Sequence, residues 1–306
     1  MKMERRTHFG LTLLGLLLAA TATLPTAPTH AAPPTAPTTA LGRIDAQTRD
    51  RLRRIWQAGQ QMGRRAHVLA KVGDSITASG SFLSDIGDGN VALSTHKELA
   101  PIIAYYRAIR VDHAGGIAHN SLNRRSLTAR AGWTTADLLA PPSGASAPSP
   151  LKQEYDAINP SVAVIMIGTN DLDRISVETF RTNLADVVDR TLEAGIIPIL
   201  STVPDRMDSP AAAAETAGFN GAIRDLGALE HLPVIDYWAG LQSLPSHGLA
   251  ADLVHPSIYP STHPRSGSVT FTSRALTYGW NLRNFLTLEM LAKFKRIVID
   301  EGTPDP

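Results

Sequence analysis

The chain has 306 residues, of which 43% are hydrophobic and 19% are charged, and its formal net charge is +1. These proportions are typical of a globular protein with a sizeable core, and the small net charge argues against nucleic acid or an anionic membrane as a partner. The sequence contains no cysteine. Disulfide bonds, thiolate catalysis and cysteine metal sites are therefore excluded.

The first 31 residues have the three-part layout of an export signal. A basic start with Lys2, Arg5 and Arg6 precedes an apolar run over 11–20 and then small residues up to Ala31. The run is too short to span a bilayer. We therefore expect residues 1–31 to be a signal peptide and the protein to be secreted, extracellular or periplasmic, with no stable membrane insertion after signal removal. A buried N-terminal helix is the alternative.

Behind this segment the chain changes in character. Residues 32–42 are rich in Pro, Thr and Ala, cannot build a core, and predict an extended linker. Residues 43–306 are then expected to form the folded part. It opens with an amphipathic helix that carries Leu52, Ile55, Trp56 and Met62 on one side and several arginines on the other.

Strand and helix patterns then alternate. Apolar runs at 67–72, 162–167, 196–203 and 234–235 predict four strands. Apolar residues at helical spacing predict a helix between Ser176 and Gly195, a second over 211–231 and a terminal helix over 271–297. This alternation indicates an α/β fold with a parallel sheet covered by helices.

Residues 80–130 do not follow the alternation. They contain glycine-rich turns and a predicted helix around 101–110. Insertions near the carboxyl ends of strands in open α/β sheets often form pocket walls. We therefore interpret 80–130 as a candidate substrate-shaping insertion, with a surface elaboration unrelated to binding as the equal alternative.

A potential nucleophile follows the first predicted strand. Ser75 lies in Gly73-Asp74-Ser75 and would begin a helix, where the helix N-terminus favours a developing negative charge and the Ser75 N–H can donate to it. A serine hydroxyl reacts only with a base within hydrogen-bond reach. Alone, this segment is an ordinary turn.

Asp252-Leu253-Val254-His255 supplies such a base. Three residues apart, the carboxylate and imidazole can lie on one side of a helical turn. Asp252 can then accept from one ring nitrogen of His255, which leaves the other nitrogen to take the Ser75 proton. The alternative is a capping Asp beside a surface His.

Two further segments offer oxyanion donors. Asn170 lies in Gly168-Thr169-Asn170-Asp171 and ends the strand at 162–167, so its amide should lie at the same sheet edge as Ser75. Gly132 could add a backbone N–H, and its lack of a side chain would let substrate approach. The alternatives are a turn Asn and an ordinary loop glycine.

Together these four segments resemble the signature blocks of the SGNH (GDSL-type) hydrolase superfamily of esterases and lipases. Ser75, Gly132, Asn170 and His255 match the blocks one by one, and Asp252 matches the third triad member. The resemblance implies a flavodoxin-like three-layer α/β/α sandwich with a central parallel sheet. It also implies one catalytic domain that needs no metal or other cofactor and hydrolyses ester or thioester bonds.

The expected function is therefore that of an exported serine esterase acting through an acyl-enzyme on a small-molecule or polysaccharide ester. Short acyl groups on carbohydrate or small alcohols are favoured, because export places the enzyme among polymers. A lipase or phospholipase acting on lipid acyl esters is the alternative substrate class. A catalytically inactive secreted binding module and a metal-dependent hydrolase are the rival classes.

Overall fold

The computed structural model of the chain describes residues 40–112, 114–141, 147–261 and 267–302. The expected signal peptide at 1–31 and all but the last three residues of the expected linker lie outside the described residues. The strands are β1 (Arg65–Gly73), β2 (Arg110–Asp112), β3 (His119–Asn120), β4 (Pro160–Met166), β5 (Ile197–Ser201) and β6 (Val234–Ile235). The α-helices are α1 (Ala46–Gln61), α2 (Ser75–Ala78), α3 (Ser84–Asp88), α4 (Ala100–Arg107), α5 (Thr135–Leu139), α6 (Pro150–Ile158), α7 (Val177–Glu193), α8 (Pro210–Leu229), α9 (Tyr237–Leu241) and α10 (Gly279–Phe294).

The central sheet consists of four parallel strands in the order β1-β4-β5-β6. These are the four strands that the apolar runs predicted. Every residue of β4 and of β5 is buried, as expected where helices cover both faces of a parallel sheet. A separate antiparallel pair, β2 and β3, was not predicted.

Helices cover the sheet on both faces. The helices α6, α7 and α8 lie in the connections between neighbouring strands, and these connections all run in the same direction across the sheet. Because such connections are right-handed, the three helices lie on one face of the sheet. On the other face, α1 packs on the π-helical turn Lys295–Ile299, which directly continues α10. The predicted α/β/α sandwich is confirmed.

The predicted limits of α7 and of the terminal helix α10 can be compared with the structure. Ser176 caps α7 by accepting from the Thr179 N–H, and Gly195 follows its end in the left-handed conformation, as predicted. The predicted terminal helix is wrong at its start, because α10 begins at Gly279 and not at residue 271. The preceding residues form a short 3₁₀ turn (Ala275–Thr277) that puts Phe271 in the core.

The last residues of the expected linker belong to the sheet edge. The Ala40 carbonyl accepts from the Asp236 N–H at 2.6 Å, and the Gly42 N–H donates to the Val234 carbonyl at 2.7 Å. Ala40 is fully buried. These bonds satisfy backbone groups of edge strand β6 that would otherwise be unpaired, so the folded part includes residues 40–42.

Residues 80–130 contain α3, α4 and the β2–β3 pair. The helix predicted around 101–110 is α4, which ends at Arg107. The end of the segment returns to the sheet, since Ala129 forms a parallel bridge with Gly73 on the side of β1 away from β4. This return places the residues before Gly132 beside the turn that carries Ser75.

Candidate active site

Ser75 is the first residue of α2, directly after β1. Asp74 caps this one-turn helix, since its Oδ1 accepts from the Ile76 N–H at 2.9 Å. A side chain at Gly73 would clash with the Met166 carbonyl and with Thr77. The tight passage between β1 and β4 therefore requires glycine before the Asp-Ser pair.

His255 and Asp252 lie in line with the Ser75 hydroxyl. The Nε2 atom of His255 is 3.0 Å from Ser75 Oγ, and its Nδ1 is 2.7 Å from Asp252 Oδ2. This is the arrangement in which a carboxylate orients an imidazole and the imidazole can accept a hydroxyl proton. The structure thus brings together the three residues that the sequence nominated for nucleophile, base and orienting carboxylate.

The Asp252–His255 segment is not the helical turn that we expected. Leu253 adopts a left-handed conformation with φ of 60°, and Asp252 Oδ1 accepts from the backbone N–H groups of Val254 and His255. Aspartate is well suited to such a turn, because its side chain can bond the backbone two residues ahead. The pairing of carboxylate and ring is nevertheless the predicted one.

Backbone contacts fix this loop to the rest of the domain. The Leu253 carbonyl accepts from the Met207 N–H at 2.9 Å, in the segment that follows β5. At the loop base, Leu249 and Pro256 form an antiparallel bridge. The position of the imidazole is therefore set by main-chain bonds on two sides.

The orienting carboxylate is favoured in its charged form. Partial burial alone would raise the pKa of Asp252, but hydrogen bonds from the His255 N–H, the His255 ring and the Val254 N–H outweigh it and hold the pKa below its ordinary value. The side chains of His255 and Asp252 are 40% and 52% exposed. The pair therefore lies at the mouth of the site, within reach of water.

The two oxyanion-donor candidates are joined to each other. Asn170 follows β4, and its Nδ2 donates to the Trp133 carbonyl at 3.0 Å. The amide has a second N–H that can donate to a substrate. Gly132, with φ of +79°, directly precedes Trp133, and a Cβ there would meet open space. Glycine at 132 is thus required by backbone conformation, and the space before it is free for substrate.

A buried network that sequence reasoning missed supports these donors. Asp171 accepts from both the N–H and the hydroxyl of Thr135, and the Thr135 hydroxyl also accepts from Asn183. Burial raises the pKa of Asp171 against the effect of the Thr135 bonds, and the nearby charge of Asp74 acts in the same direction. The capping box Thr134-Thr135-Ala136-Asp137 was the available sequence signal for this junction.

Arg283 from α10 supports the helix that begins with Ser75, and sequence reasoning missed it too. Its guanidinium donates to the Ile76 carbonyl and to the Thr77 hydroxyl, and it lies 3.7 Å from the centre of the Phe82 ring. Burial lowers the pKa of Arg283 to about 10. Through its bonds to Ile76 and Thr77, Arg283 positions the helix that begins with Ser75.

A second Asp–His pair in the described part of the chain makes no hydrogen bond to Ser75. The Nδ1 of His247 is 2.7 Å from Asp205 Oδ2, and the other oxygen of Asp205 accepts from the Trp238 indole N–H. The carboxylate contact is as short as the one in the Asp252–His255 pair. What distinguishes His255 is therefore its contact with the serine.

Two further observations concern metal binding and membrane crossing. Across the part of the chain that the structure describes, no three His, Asp or Glu side chains are grouped as metal ligands. None of the helices in the described ranges combines the length and apolarity that a membrane crossing requires.

An α/β/α fold with a hydroxyl, an imidazole and a carboxylate in line at the sheet edge is the arrangement of a hydrolase. The family comparison agrees. Residues 72–258 match the GDSL-like lipase/acylhydrolase family, and the chain belongs to this family of ester-hydrolysing enzymes.

Similar solved structures include three bacterial proteins. The lipase/acylhydrolase from Enterococcus faecalis is 22% identical, with 73% of this chain and 94% of that chain covered and a TM-score of 0.45. An acetylxylan esterase mutant from Geobacillus stearothermophilus is 18% identical, with 73% and 93% covered and a TM-score of 0.46. A GDSL-like lipase from Bacteroides thetaiotaomicron is 14% identical, with 79% and 97% covered and a TM-score of 0.45. No protein of curated function matches the sequence.

Proposed function

We propose that the protein is an exported serine esterase that cleaves carboxylic esters through an acyl-enzyme. The observation that carries the proposal is the hydrogen-bonded line from Ser75 Oγ through His255 to Asp252, with contacts of 3.0 and 2.7 Å. The first contact is short enough for the Ser75 proton to pass to His255, and the second is a hydrogen bond that can orient the imidazole. Membership of an ester-hydrolysing family supports the same reaction class.

In the proposed first half-reaction, Ser75 Oγ bonds to the acyl carbon while its proton moves to His255 Nε2. The electron pair of the carbonyl bond moves onto the carbonyl oxygen, which the N–H groups of Ser75 and Gly132 and the Asn170 amide stabilise. Collapse of this intermediate breaks the bond to the alcohol oxygen, which takes the proton from His255. Asp252 holds the imidazole and stabilises its charged form.

The second half-reaction repeats these steps with water. His255 accepts a proton from water as the hydroxyl oxygen attacks the acyl carbon. The bond to Ser75 Oγ then breaks, and Oγ recovers its proton from His255. The carboxylic acid leaves and the free enzyme returns, so protons and electron pairs balance without a cofactor.

As substrate we propose a short acyl group on a carbohydrate or small alcohol. The signal-like layout of residues 1–31 supports export, and an exported enzyme meets polymers. The partial exposure of His255 and Asp252 supports access by a bulky alcohol portion. A panel of p-nitrophenyl esters from acetyl to palmitoyl, run beside acetylated xylan, tests this against a lipid ester. A rate maximum at long acyl chains would favour the lipase alternative.

Turnover of p-nitrophenyl acetate by wild type and by Ser75→Ala tests the reaction itself. We expect activity in wild type and a loss of about 10⁴-fold or more in Ser75→Ala. Ser243→Ala, which removes an exposed serine hydroxyl elsewhere, is the matched control. Equal turnover by wild type and Ser75→Ala would eliminate this mechanism, and a folded wild type without turnover would favour the inactive binding module.

A further inference from the structure

A cavity of about 710 Å³ lies beside the nucleophile helix. One wall comes from Thr77, Ala78 and Gly80, which follow Ser75, and the other from the segment 124–131, which leads to Gly132. Its volume is within the range of roughly 300–1,000 Å³ common for small-molecule sites. We call it the basic cavity. Ser75 and Gly132 do not line the cavity themselves, but each lies within two residues of a lining residue in the chain.

The side chains that line the basic cavity carry an excess of positive charge. Lys71, Arg124, Arg125 and Arg130 contribute to the lining, and no Asp or Glu does. Arg124 is balanced behind the wall by ion pairs with Glu154 and with Asp112. The other three cations take part in none of the ion pairs among the described residues.

Arg125 and Arg130 are both exposed at the cavity wall. The Arg130 guanidinium lies 5.1 Å from the centre of the Trp133 ring. Trp133 directly follows the loop glycine at 132 in the chain. A guanidinium presents parallel N–H donors that match the two oxygens of a carboxylate. The wall nearest the proposed oxyanion donors is therefore equipped to hold a carboxylate.

Lys71 is the unusual member of this set. It projects from β1, is only 5% exposed, and its Nζ donates to the Leu122 carbonyl at 2.7 Å. Burial lowers the pKa of Lys71 to about 8, although the charge of Glu154 acts in the opposite direction. A buried ammonium that is bonded to a carbonyl and not to a carboxylate is costly. A bound anion would supply the missing charge.

We propose that the basic cavity binds the carboxylate of an acidic sugar residue, next to the sugar whose acyl group Ser75 attacks. The inference rests on the proposed function and narrows its substrate class to acylated acidic saccharides. A saccharide is favoured over a phospholipid because hydroxyl groups line the cavity with the arginines, at Thr77, Ser84 and Ser126. A lipid acyl chain would require a predominantly apolar lining.

The experiment compares two substrates that differ in one charge. Acetylated glucuronoxylan oligosaccharides retain the uronic carboxylate, and the same oligosaccharides with that group reduced to an alcohol lack it. We expect kcat/KM to be about tenfold higher or more for the acidic form, as for a charge-assisted bidentate hydrogen bond. The preference should shrink at high ionic strength, because Arg125 is exposed to solvent.

Arg125→Gln should reduce this preference about tenfold, through a lower kcat/KM for the acidic substrate. Arg54→Gln, which removes an exposed arginine on α1 that does not line the cavity, is the matched control and should keep the preference. Lys71→Met should act like Arg125→Gln if it folds, and circular dichroism decides that point. The Arg125 variant tests the inference by itself if Lys71→Met does not fold.

Two outcomes would overturn the inference. One is equal kcat/KM for the acidic and reduced oligosaccharides in wild type. The other is an Arg125-dependent preference for dihexanoylphosphatidylglycerol over neutral dihexanoylglycerol without a preference among the saccharides, which would assign the cavity to a lipid phosphate. Turnover of p-nitrophenyl acetate keeps the two proposals separate. If turnover of p-nitrophenyl acetate is normal and depends on Ser75, but the preference for the acidic oligosaccharide is absent, only the assignment of the basic cavity fails.

Discussion

Ser75 Oγ and His255 Nε2 are 3.0 Å apart, although 180 positions separate the two residues in the chain. The serine follows the sheet strand β1, and the imidazole is held by a loop bonded to the segment after β5. The contact therefore depends on the pairing of β1, β4 and β5 in the sheet.

The two Asp–His pairs allow a controlled test of the base. His255→Ala should lower kcat/KM for p-nitrophenyl acetate about 10⁴-fold, because the Ser75 proton then has no acceptor. His247→Ala removes an imidazole with an equally short carboxylate contact, to Asp205, and should keep nearly full activity. Similar losses in both variants would show that the damage is structural and would contradict the assignment of His255.

Asn170→Ala should lower kcat roughly 10²–10³-fold, the usual cost of one oxyanion donor. KM should change little, because the bond to the oxyanion forms fully only in the transition state. Steady-state kinetics with p-nitrophenyl acetate separates the two constants. Asn90→Ala, at an exposed asparagine, is the control. A change confined to KM would contradict a role for Asn170 as oxyanion donor.

Gly132→Ala should lower activity through the backbone. The φ of +79° at Gly132 is unfavourable for a residue with a Cβ, although a Cβ would meet open space. The loop is expected to shift and move the Gly132 N–H, with a cost of roughly 1–2 kcal/mol in loop energy. Gly63→Ala applies the same change at another open glycine with positive φ, which precedes β1 whereas Ser75 follows its other end. An active Gly132→Ala enzyme would contradict the need for this backbone conformation.

Asp74→Asn should make the folded protein more stable at neutral pH. Burial raises the pKa of Asp74 above its ordinary value of 3.8, although the Ile76 N–H bond opposes this. Between the ordinary and the raised pKa the folded state binds a proton that the unfolded state does not, so stability falls as pH rises through this window. Asparagine keeps the cap on Ile76 and removes the titration.

Urea unfolding at pH 4 and pH 7 measures the effect of Asp74→Asn. The stabilisation should be larger at pH 7 than at pH 4, where part of the wild-type carboxyl is already protonated. Asp88→Asn, at an exposed aspartate, controls for the loss of one charge. Equal effects at both pH values would contradict the raised pKa as the cause.

The titration of Lys71 predicts how the preference of the basic cavity for an acidic substrate depends on pH. Its ammonium faces Glu154 from α6, Arg124 from the segment after β3 and Arg283 from α10. With a pKa lowered to about 8, Lys71 loses its charge above that pH, so kcat/KM for the acidic oligosaccharide should fall relative to the reduced one. A constant ratio of the two between pH 7 and pH 9 would contradict this role.

Local patterns were sufficient to predict the sheet and to single out three side chains, of Ser75, His255 and Asp252, that the structure brings into contact. The strands β4 and β5 are nearly uninterrupted apolar runs, which is how strands buried on both faces read in a sequence, and shorter apolar stretches mark β1 and β6. Ser75, Asp252, His255 and Asn170 lie in short segments whose residue types are tied to one chemistry. Such signals need no knowledge of distant contacts.

The features that sequence reasoning missed depend on distant partners. Arg283 was assigned only to a terminal helix, yet it bonds the Ile76 carbonyl 207 positions away. The pairing of Asn170 with the Trp133 carbonyl likewise joins two loops. The start of α10 at Gly279 could not be read from periodicity, because this helix is buried on nearly all sides. The contacts around α10, and not its apolar pattern, determine where this helix begins and ends.

The left-handed backbone conformation of Leu253, between Asp252 and His255 in the chain, has a practical consequence. Leu253 is 40% exposed, so its side chain gains little from packing, while its φ of 60° is unfavourable for a leucine. Asparagine adopts this conformation more readily. Leu253→Asn should therefore give a more heat-tolerant catalyst, and it would do so without touching any atom that takes part in bond making or breaking.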